Sequence, residues 1–159
     1  MKTSGFTLIE LGVVLIIVGV IAVVAIPRFI GRQAFDEQSF NDQTLSILRY
    51  AQKAAIAQRR LVCVAFSSNS VTLTIAATNT VSPVVITCAG NPLGGPTGVS
   101  PYSISSSKAS FSPVPTAFNF DPLGRPLNTS GNALIATGVI QILNVATAIN
   151  VEPETGYVH

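Results

Sequence analysis

Glu10 is the residue whose type and position most clearly suggest chemistry, because it is the only charged residue between Phe6 and Ile26. A carboxylate inside so apolar a run costs about 2–3 kcal/mol when the run enters a bilayer. A charge kept at that cost is a functional-site hypothesis, and the obvious candidate for its partner is a cation. Residues 6–26 contain no Lys, Arg or His, so the cation must come from outside this helix.

A candidate cation lies at the start of the same run. The small residue Gly5 follows a short polar leader and precedes Phe6. Cleavage of the chain after Gly5 would leave a free α-amino group on Phe6, and that amine would lie at the depth of Glu10 in a neighbouring copy. These residues therefore predict an ion pair between copies, with Glu10 supplying the carboxylate.

The run itself is long enough to cross a membrane. Twenty-one helical residues at about 1.5 Å each span roughly 30 Å, the thickness of the hydrocarbon core of a bilayer. A secretory signal peptide has a shorter apolar region and ends in a small-residue cleavage site. Here Pro27-Arg28-Phe29 follows the run instead. The sequence therefore predicts a transmembrane helix that stays attached to the chain.

The segment from Gly5 through Phe6 to Glu10, followed by an apolar run up to Pro27, resembles the type IV pilin superfamily of pilins, pseudopilins and related filament subunits. The resemblance implies cleavage between Gly5 and Phe6 by a prepilin peptidase and N-methylation of the Phe6 amine. It implies that Glu10 neutralises a neighbouring subunit's N-terminal amine during filament assembly. The alternative, an ordinary signal-anchor helix with an incidental Glu, explains neither Gly5 nor the position of Glu10.

The resemblance also implies a location and a set of partners. The chain would cross the bacterial inner membrane once, with its C-terminal domain in the periplasm, and would then join a pilus or pseudopilus filament. Its partners would be the prepilin peptidase, other pilin or pseudopilin subunits and the inner membrane. No cofactor is expected.

Charge divides the 159-residue chain into zones. Only 10% of the residues are charged, against roughly 25% in ordinary soluble domains. The predicted segments are a leader (1–5), a transmembrane and filament-core helix (6–27), an amphipathic helical stem (28–60) and a β-rich periplasmic domain (61–159). A net charge of +2 is not that of a nucleic-acid-binding protein, and nucleic acid is not an expected partner.

The stem is predicted to continue the membrane helix as far as about Arg60, with a kink at Pro27 and a second one at Gly31. Apolar residues recur in it at helical spacing, and the small ones would let a β-sheet approach closely. A role for Tyr50 or Gln52 in ligand binding is the alternative to a structural one. The spaced apolar residues are Phe40, Ile47, Leu48, Ala51, Ala54 and Ala55.

Short β-branched and aromatic runs predict strands after the stem. The expected fold class is α+β: a pilin fold, in which the C-terminal half of a long N-terminal helix packs on an antiparallel sheet. The expected strands are a hairpin of 61–66 and 71–75, a third strand at 84–88, a weak strand within 103–112, a short strand at 117–120 and a final pair at 139–143 and 148–151.

Cys63 and Cys88 both fall on predicted strands. In an oxidising periplasm they could form a disulfide, which the chain-entropy relation values at roughly 3 kcal/mol. The alternative is a pair of buried free thiols, which behave as small hydrophobic side chains.

No enzyme is predicted from the remaining polar residues, and no metal site is expected. His159, the single histidine, is the last residue and is expected to be frayed. Asp121 and Arg125 flank a turn and predict a local ion pair. Glu152 and Glu154 could belong to a calcium loop, but two carboxylates around one proline are weak support.

Segments 48–55, 120–126 and 149–158 resemble minor pilins and pseudopilins of the H type, including those of mannose-sensitive haemagglutinin pili. The predicted function is therefore a structural subunit, a minor pilin or pseudopilin, of a type IV pilus or a type II secretion pseudopilus. Two alternatives stay open: a DNA-capturing minor pilin of a competence pilus, and a major pilin.

Overall fold

The computed structural model describes residues 5, 7–30, 32–78 and 88–159. The chain divides into two compact units, the first ending at Phe35 and the second beginning at Asp36. In the described residues α1 spans Leu8–Ile30 and α2 spans Arg32–Gln58. The strands are β1 (Val62–Phe66), β2 (Ser70–Ile75), β3 (Ser103–Ser105), β4 (Phe118–Phe120), β5 (Pro126–Asn128), β6 (Gly138–Ile140) and β7 (Ile149–Val151).

The strands form one five-stranded sheet and one two-stranded sheet. The five-stranded sheet has the order β3-β2-β1-β4-β5, and every neighbouring pair in it is antiparallel. The predicted hairpin is confirmed, with Val62 opposite Ile75 and Phe66 opposite Val71. The predicted final pair is also confirmed as β6 and β7.

The inner face of α2 packs on the five-stranded sheet and forms one core with it. Ile47, Leu48 and Ala51 are fully buried, as are Val62 of β1 and Phe120 of β4. The alternation along β2, in which every second side chain is buried, is the pattern of a strand with one covered face. The predicted α+β fold class, a long N-terminal helix packed on antiparallel sheet, is therefore confirmed.

Several predicted boundaries differ from the structure. The stem helix ends at Gln58 rather than Arg60, because Arg59 adopts a left-handed backbone conformation with φ of 49°. The Ser-rich segment 103–112 contributes only β3, and β5 was not predicted. The predicted strand at 84–88 lies outside the described residues apart from Cys88. Pro27 lies within α1, and the kinks at Pro27 and Gly31 stay predictions.

The last residue is not frayed, contrary to the sequence-based expectation. The backbone N–H of His159 donates to the carbonyl of Asn150 at 3.0 Å, and the Asn150 N–H donates to the His159 carbonyl at 2.7 Å. The His159 ring also lies 3.1 Å from a carboxylate oxygen of Glu152. The error arose because position in the chain was used instead of backbone pairing, which decides whether a terminus is ordered.

Gln52 fastens two loops to α2. Its side-chain amide donates to the carbonyl of Gly124 at 3.1 Å and to the carbonyl of Thr155 at 2.8 Å. Gly156 follows with φ of +66°, and a Cβ added there would meet the Gly124 carbonyl oxygen and lie 2.9 Å from the Gln52 amide nitrogen. Both the backbone angle and the space therefore require glycine at 156.

We expect Gly156→Ala to destabilise the chain more than Gly98→Ala. Gly98 has φ of +80° and open space around its Cβ position, so that substitution should cost only the backbone strain of about 1–2 kcal/mol. Gly156→Ala should also displace the loops that Gln52 holds and lose hydrogen bonds of about 0.5–1.5 kcal/mol each. Urea unfolding followed by circular dichroism measures both. Equal unfolding midpoints would show that the close approach at Gly156 is unimportant.

Cys63 and Cys88 are joined by a disulfide in the structure, across 25 positions of sequence. The bond ties β1 to the segment just before the loop that contains Leu93. We expect Cys63→Ala with Cys88→Ala to lower the free energy of unfolding by about 3 kcal/mol. Urea unfolding with and without a reductant measures this. A native chain whose unfolding midpoint does not respond to reductant would contradict the expected contribution, and the double variant, which has no disulfide, is the matched control.

Candidate assembly site

The first turn of α1 is closed by a reciprocal pair of hydrogen bonds between Thr7 and Glu10. The Glu10 backbone N–H donates to Thr7 Oγ1 at 3.3 Å, and the Thr7 backbone N–H donates to Glu10 Oε2 at 3.4 Å. The Thr7 hydroxyl lies 3.4 Å from the same Oε2 and donates to it. Thr7 is therefore the N-cap and Glu10 the third helical residue of a capping box.

This arrangement fixes where the Glu10 carboxylate lies. The side chain is exposed and is held at the N-terminal end of α1, where the helix dipole stabilises a negative charge by about 0.3–1 kcal/mol. Both hydrogen bonds to the carboxylate use Oε2. Within the described part of the chain, Oε1 accepts no hydrogen bond, so one carboxylate oxygen is available to an external donor.

The predicted cleavage site adjoins this cap. Gly5 is exposed, and a Cβ added to it would meet no atom within 4 Å. Gly5 precedes the first residue of α1 by three positions, and Thr7 also lies outside the helix. Phe6 lies outside the described residues, so the cleavage and methylation assignments stay predictions.

Between Leu11 and Ile21 the surface of α1 is apolar on all sides. Gly12 and Gly19 have open space where a side chain would stand. A helix that is hydrophobic all round is ordinarily buried in protein or lipid. Within residues 8–22 of α1, the large hydrophobic side chains that are at least 48% exposed are those of Leu8, Ile9, Leu11, Val13, Val14, Leu15, Ile16, Ile17, Val18, Val20 and Ile21.

Among the residues that the structure describes, no helix is both long enough and apolar enough to span a membrane.

The two stem residues considered for ligand binding have structural roles. The Tyr50 hydroxyl donates to the Gly94 carbonyl at 2.6 Å, and its ring packs edge-on against Tyr102 with centroids 5.1 Å apart. Gln52 holds two loops through the carbonyls already described. Both side chains therefore attach loops to α2.

Two acidic groups of the C-terminal domain, Asp121 and Glu152, lie in local pairs. Asp121 accepts from the Arg125 guanidinium at 2.8 Å and also from the backbone N–H groups of Leu123 and Arg125, which confirms the predicted local ion pair. Glu152 contacts His159. In the described ranges, no group of three or more His, Cys, Asp or Glu residues could hold a metal ion.

Three basic residues at or beyond the end of the stem, which a DNA-capturing pilin would use, are separately engaged. Lys108 pairs with Asp36 at 3.1 Å, and Arg125 pairs with Asp121. The Arg60 guanidinium donates to the Ala76 carbonyl. Nucleic-acid capture requires a cluster of cations facing the phosphates, and these contacts direct the three side chains to other partners.

Thr7 is the site residue that the sequence analysis did not identify. Its signal was present in the sequence, because a Thr followed three residues later by Glu, immediately before an apolar run, is the pattern of a capping box. The same residues belong to the leader motif, and the predicted helix begins at Phe6. The structure begins it at Leu8.

The chain is similar to two type IV pilins. Over 58 residues it is 43% identical to the type IV major pilin protein PilA of Myxococcus xanthus, covering 36% of this chain and 26% of the relative. Over 60 residues it is 37% identical to the type IV narrow pilus major component PilA5 of Thermus thermophilus, covering 38% of this chain and 52% of the relative. The chain thus spans about a quarter of the length of the first relative and about half of the length of the second.

No protein-family model matches the chain, and no solved structure does so. The two relatives are structural pilins, and they support the type IV pilin superfamily that the leader and first helix suggested. Both are named as major components of pili. The H-type minor-pilin or pseudopilin subtype stays a prediction.

Proposed function

We propose that this chain is a structural subunit of a type IV pilus or a related filament. A prepilin peptidase cleaves it between Gly5 and Phe6, and the new Phe6 amine is N-methylated. Residues 6–27 hold the subunit in the inner membrane, with the C-terminal domain in the periplasm, until it enters the filament. The exposed apolar surface of α1, with one carboxylate held at its start, is the observation that carries the proposal.

Packing against other copies would bury that surface. Burying apolar surface gains roughly 25 cal/mol per Å², and the apolar side chains of α1 lie on every side of the helix, so several neighbours can be accommodated. A filament supplies such neighbours without requiring a large interface from the C-terminal domain. The similarity to two pilins supports the same function.

Glu10 would set the register of this packing. In an apolar surrounding the attraction between a carboxylate and an amine is far stronger than in water, so the pair contributes most once copies have excluded solvent. The capping box leaves Oε1 for the amine while Thr7 retains Oε2. A copy placed out of register would leave a buried charge without a partner, which is costly.

A major pilin is the second candidate, and the two relatives favour it because their names describe major pilus components. The minor-pilin and pseudopilin assignments rest on the resemblance of segments 48–55, 120–126 and 149–158. The abundance of the subunit in sheared surface filaments separates these assignments. A major pilin should dominate the filament, whereas a minor subunit should be a small fraction of it.

We expect Glu10→Gln and Glu10→Ala to abolish incorporation into filaments alike. Gln preserves the capping box and removes the charge, whereas Ala removes both. Immunoblots of sheared filaments and of membranes measure incorporation and processing. Thr7→Ala, which removes the cap and keeps the charge, is the matched control and should lower incorporation far less than either Glu10 variant. If Glu10→Gln assembles normally, Glu10 acts as a cap and the charge-pairing role is wrong.

We expect Gly5→Val to block processing and to leave the full-length chain in the membrane, since the branched side chain would lie directly beside the bond to be cut. N-terminal sequencing or intact mass of the purified subunit measures this. Gly12→Val, in the open surface of α1, is the control and should be processed. A mature N-terminus at Phe6 in the Gly5→Val chain would refute the cleavage site.

A further inference from the structure

The outer face of α2 carries a regular stripe of exposed residues. Its members are all exposed and follow one another at alternating spacings of three and four residues. They are Ser39, Asp42, Ser46, Arg49, Lys53 and Ile56. This 3.5-residue period keeps the six side chains on one line along the helix, as at the contact seam of two paired helices. The buried residues of α2 lie on the opposite side.

The charged residues of this outer stripe are separated along the helix, and within one copy the described residues give them no ion-pair partner. Asp42 accepts from the Gln38 amide at 3.2 Å, and Arg49 donates to the Val158 carbonyl at 3.0 Å. Across the described residues, neither Arg49 nor Lys53 has a carboxylate partner and Asp42 has no basic one. Asp42 and Arg49 are seven residues apart, about 10 Å along the axis, so they cannot pair within one helix.

We propose that the outer stripe of α2 is a contact between two copies of this chain, packed parallel and offset by seven residues, so that Asp42 of one copy faces Arg49 of the next. The proposal rests on the filament function proposed above and names the register of its subunits. The occupant is a second copy because a parallel shift of seven residues keeps the stripe on itself and brings Asp42 opposite Arg49. The shift corresponds to about 10 Å along the helix.

Other registers fit less well. Parallel copies without an offset would place Asp42 against Asp42 and Arg49 against Arg49, and like charges repel. An antiparallel pair can also match Asp42 with Arg49, but such a contact is the same on both copies and closes a dimer. Growth of a filament needs a contact between different patches, which the parallel offset supplies. Ser39 and Ser46 are small, and small side chains at a contact allow close approach of two helix axes.

Cysteine cross-linking in filaments tests the register. The offset places position 39 of one copy beside position 46 of the next, so cells expressing Ser39→Cys and Ser46→Cys copies together should yield filaments that form a cross-linked dimer under mild oxidation. Filaments of either variant alone should not. Ser39→Cys combined with Lys53→Cys is the control, because Lys53 is exposed on the same stripe but lies seven residues, about 10 Å, beyond position 46.

The outcomes separate this proposal from the function on which it rests. The offset is supported if the mixed filaments cross-link and the filaments of either single variant do not. Filaments that cross-link through Ser46→Cys alone, through Ser39→Cys alone, or not at all overturn the offset and leave the filament function standing. Failure of the unaltered chain to enter any filament overturns the proposed function, and the register with it.

Charge reversal provides a second measurement that does not depend on cysteines. Asp42→Arg and Arg49→Asp should each lower filament yield about fivefold at low salt, within the range expected for one exposed ion pair per contact. The double variant should restore the yield, and added salt should reduce the difference. Loss of the bond from Arg49 to Val158 would not be rescued by changing Asp42. Failure of the double variant to recover, while its unfolding midpoint is normal, would overturn the pairing.

Discussion

The burial of one face of α2 against the five-stranded sheet is the interaction on which the folded unit depends. Ile47, Leu48 and Ala51 have no exposed surface, and they meet strands whose facing residues Val62 and Phe120 are equally buried. Side chains project from an α-helix in every direction, at 3.6 residues per turn, and one sheet can cover only one side of it. The same packing that makes the core therefore leaves the opposite face of α2 outside, and that face is polar and charged.

The loops at the end of the sheet depend on the same helix. Gln52 and Tyr50 each donate to a loop carbonyl, and the two bonds reach Gly124 and Gly94 respectively. Backbone carbonyls in such loops need partners, and α2 supplies them with side chains on the border of its buried face. These contacts tie the loops to α2 in addition to the strands that flank them.

The sequence predicted the parts of the fold that are determined by local pattern. The alternation in 71–75 and the alanines at 51, 54 and 55 identified the hairpin and the sheet-facing side of α2. It failed at Pro126-Leu127-Asn128, because neither proline nor asparagine favours a strand and only pairing with β4 makes one there. It failed at His159 for the same reason, since a distant backbone partner decides the order of that residue.

The candidate functional residues also divide into those that a local sequence pattern identifies and those that depend on hydrogen-bond partners. Glu10 and Gly5 were selected because a charge in an apolar run and a small residue before it are visible in the sequence itself. Thr7 was missed, although it determines where α1 begins, because its part in the pattern is a hydrogen bond and not a charge. The role of Gln52 was also beyond the sequence, because its partners lie 72 and 103 positions away.

The cap and the proposed ion pair make different demands on the Glu10 side chain, and the geometry allows both. Capping needs an acceptor near the Thr7 N–H, which an amide could also supply, whereas pairing with an amine needs a negative charge. Because Thr7 engages Oε2 alone, capping need not be broken before pairing begins. The cap restrains the carboxylate to one position at the first turn of α1, and so lowers the entropy that assembly would otherwise have to remove. On this argument Thr7 acts through Glu10, as a positioning residue for the charge.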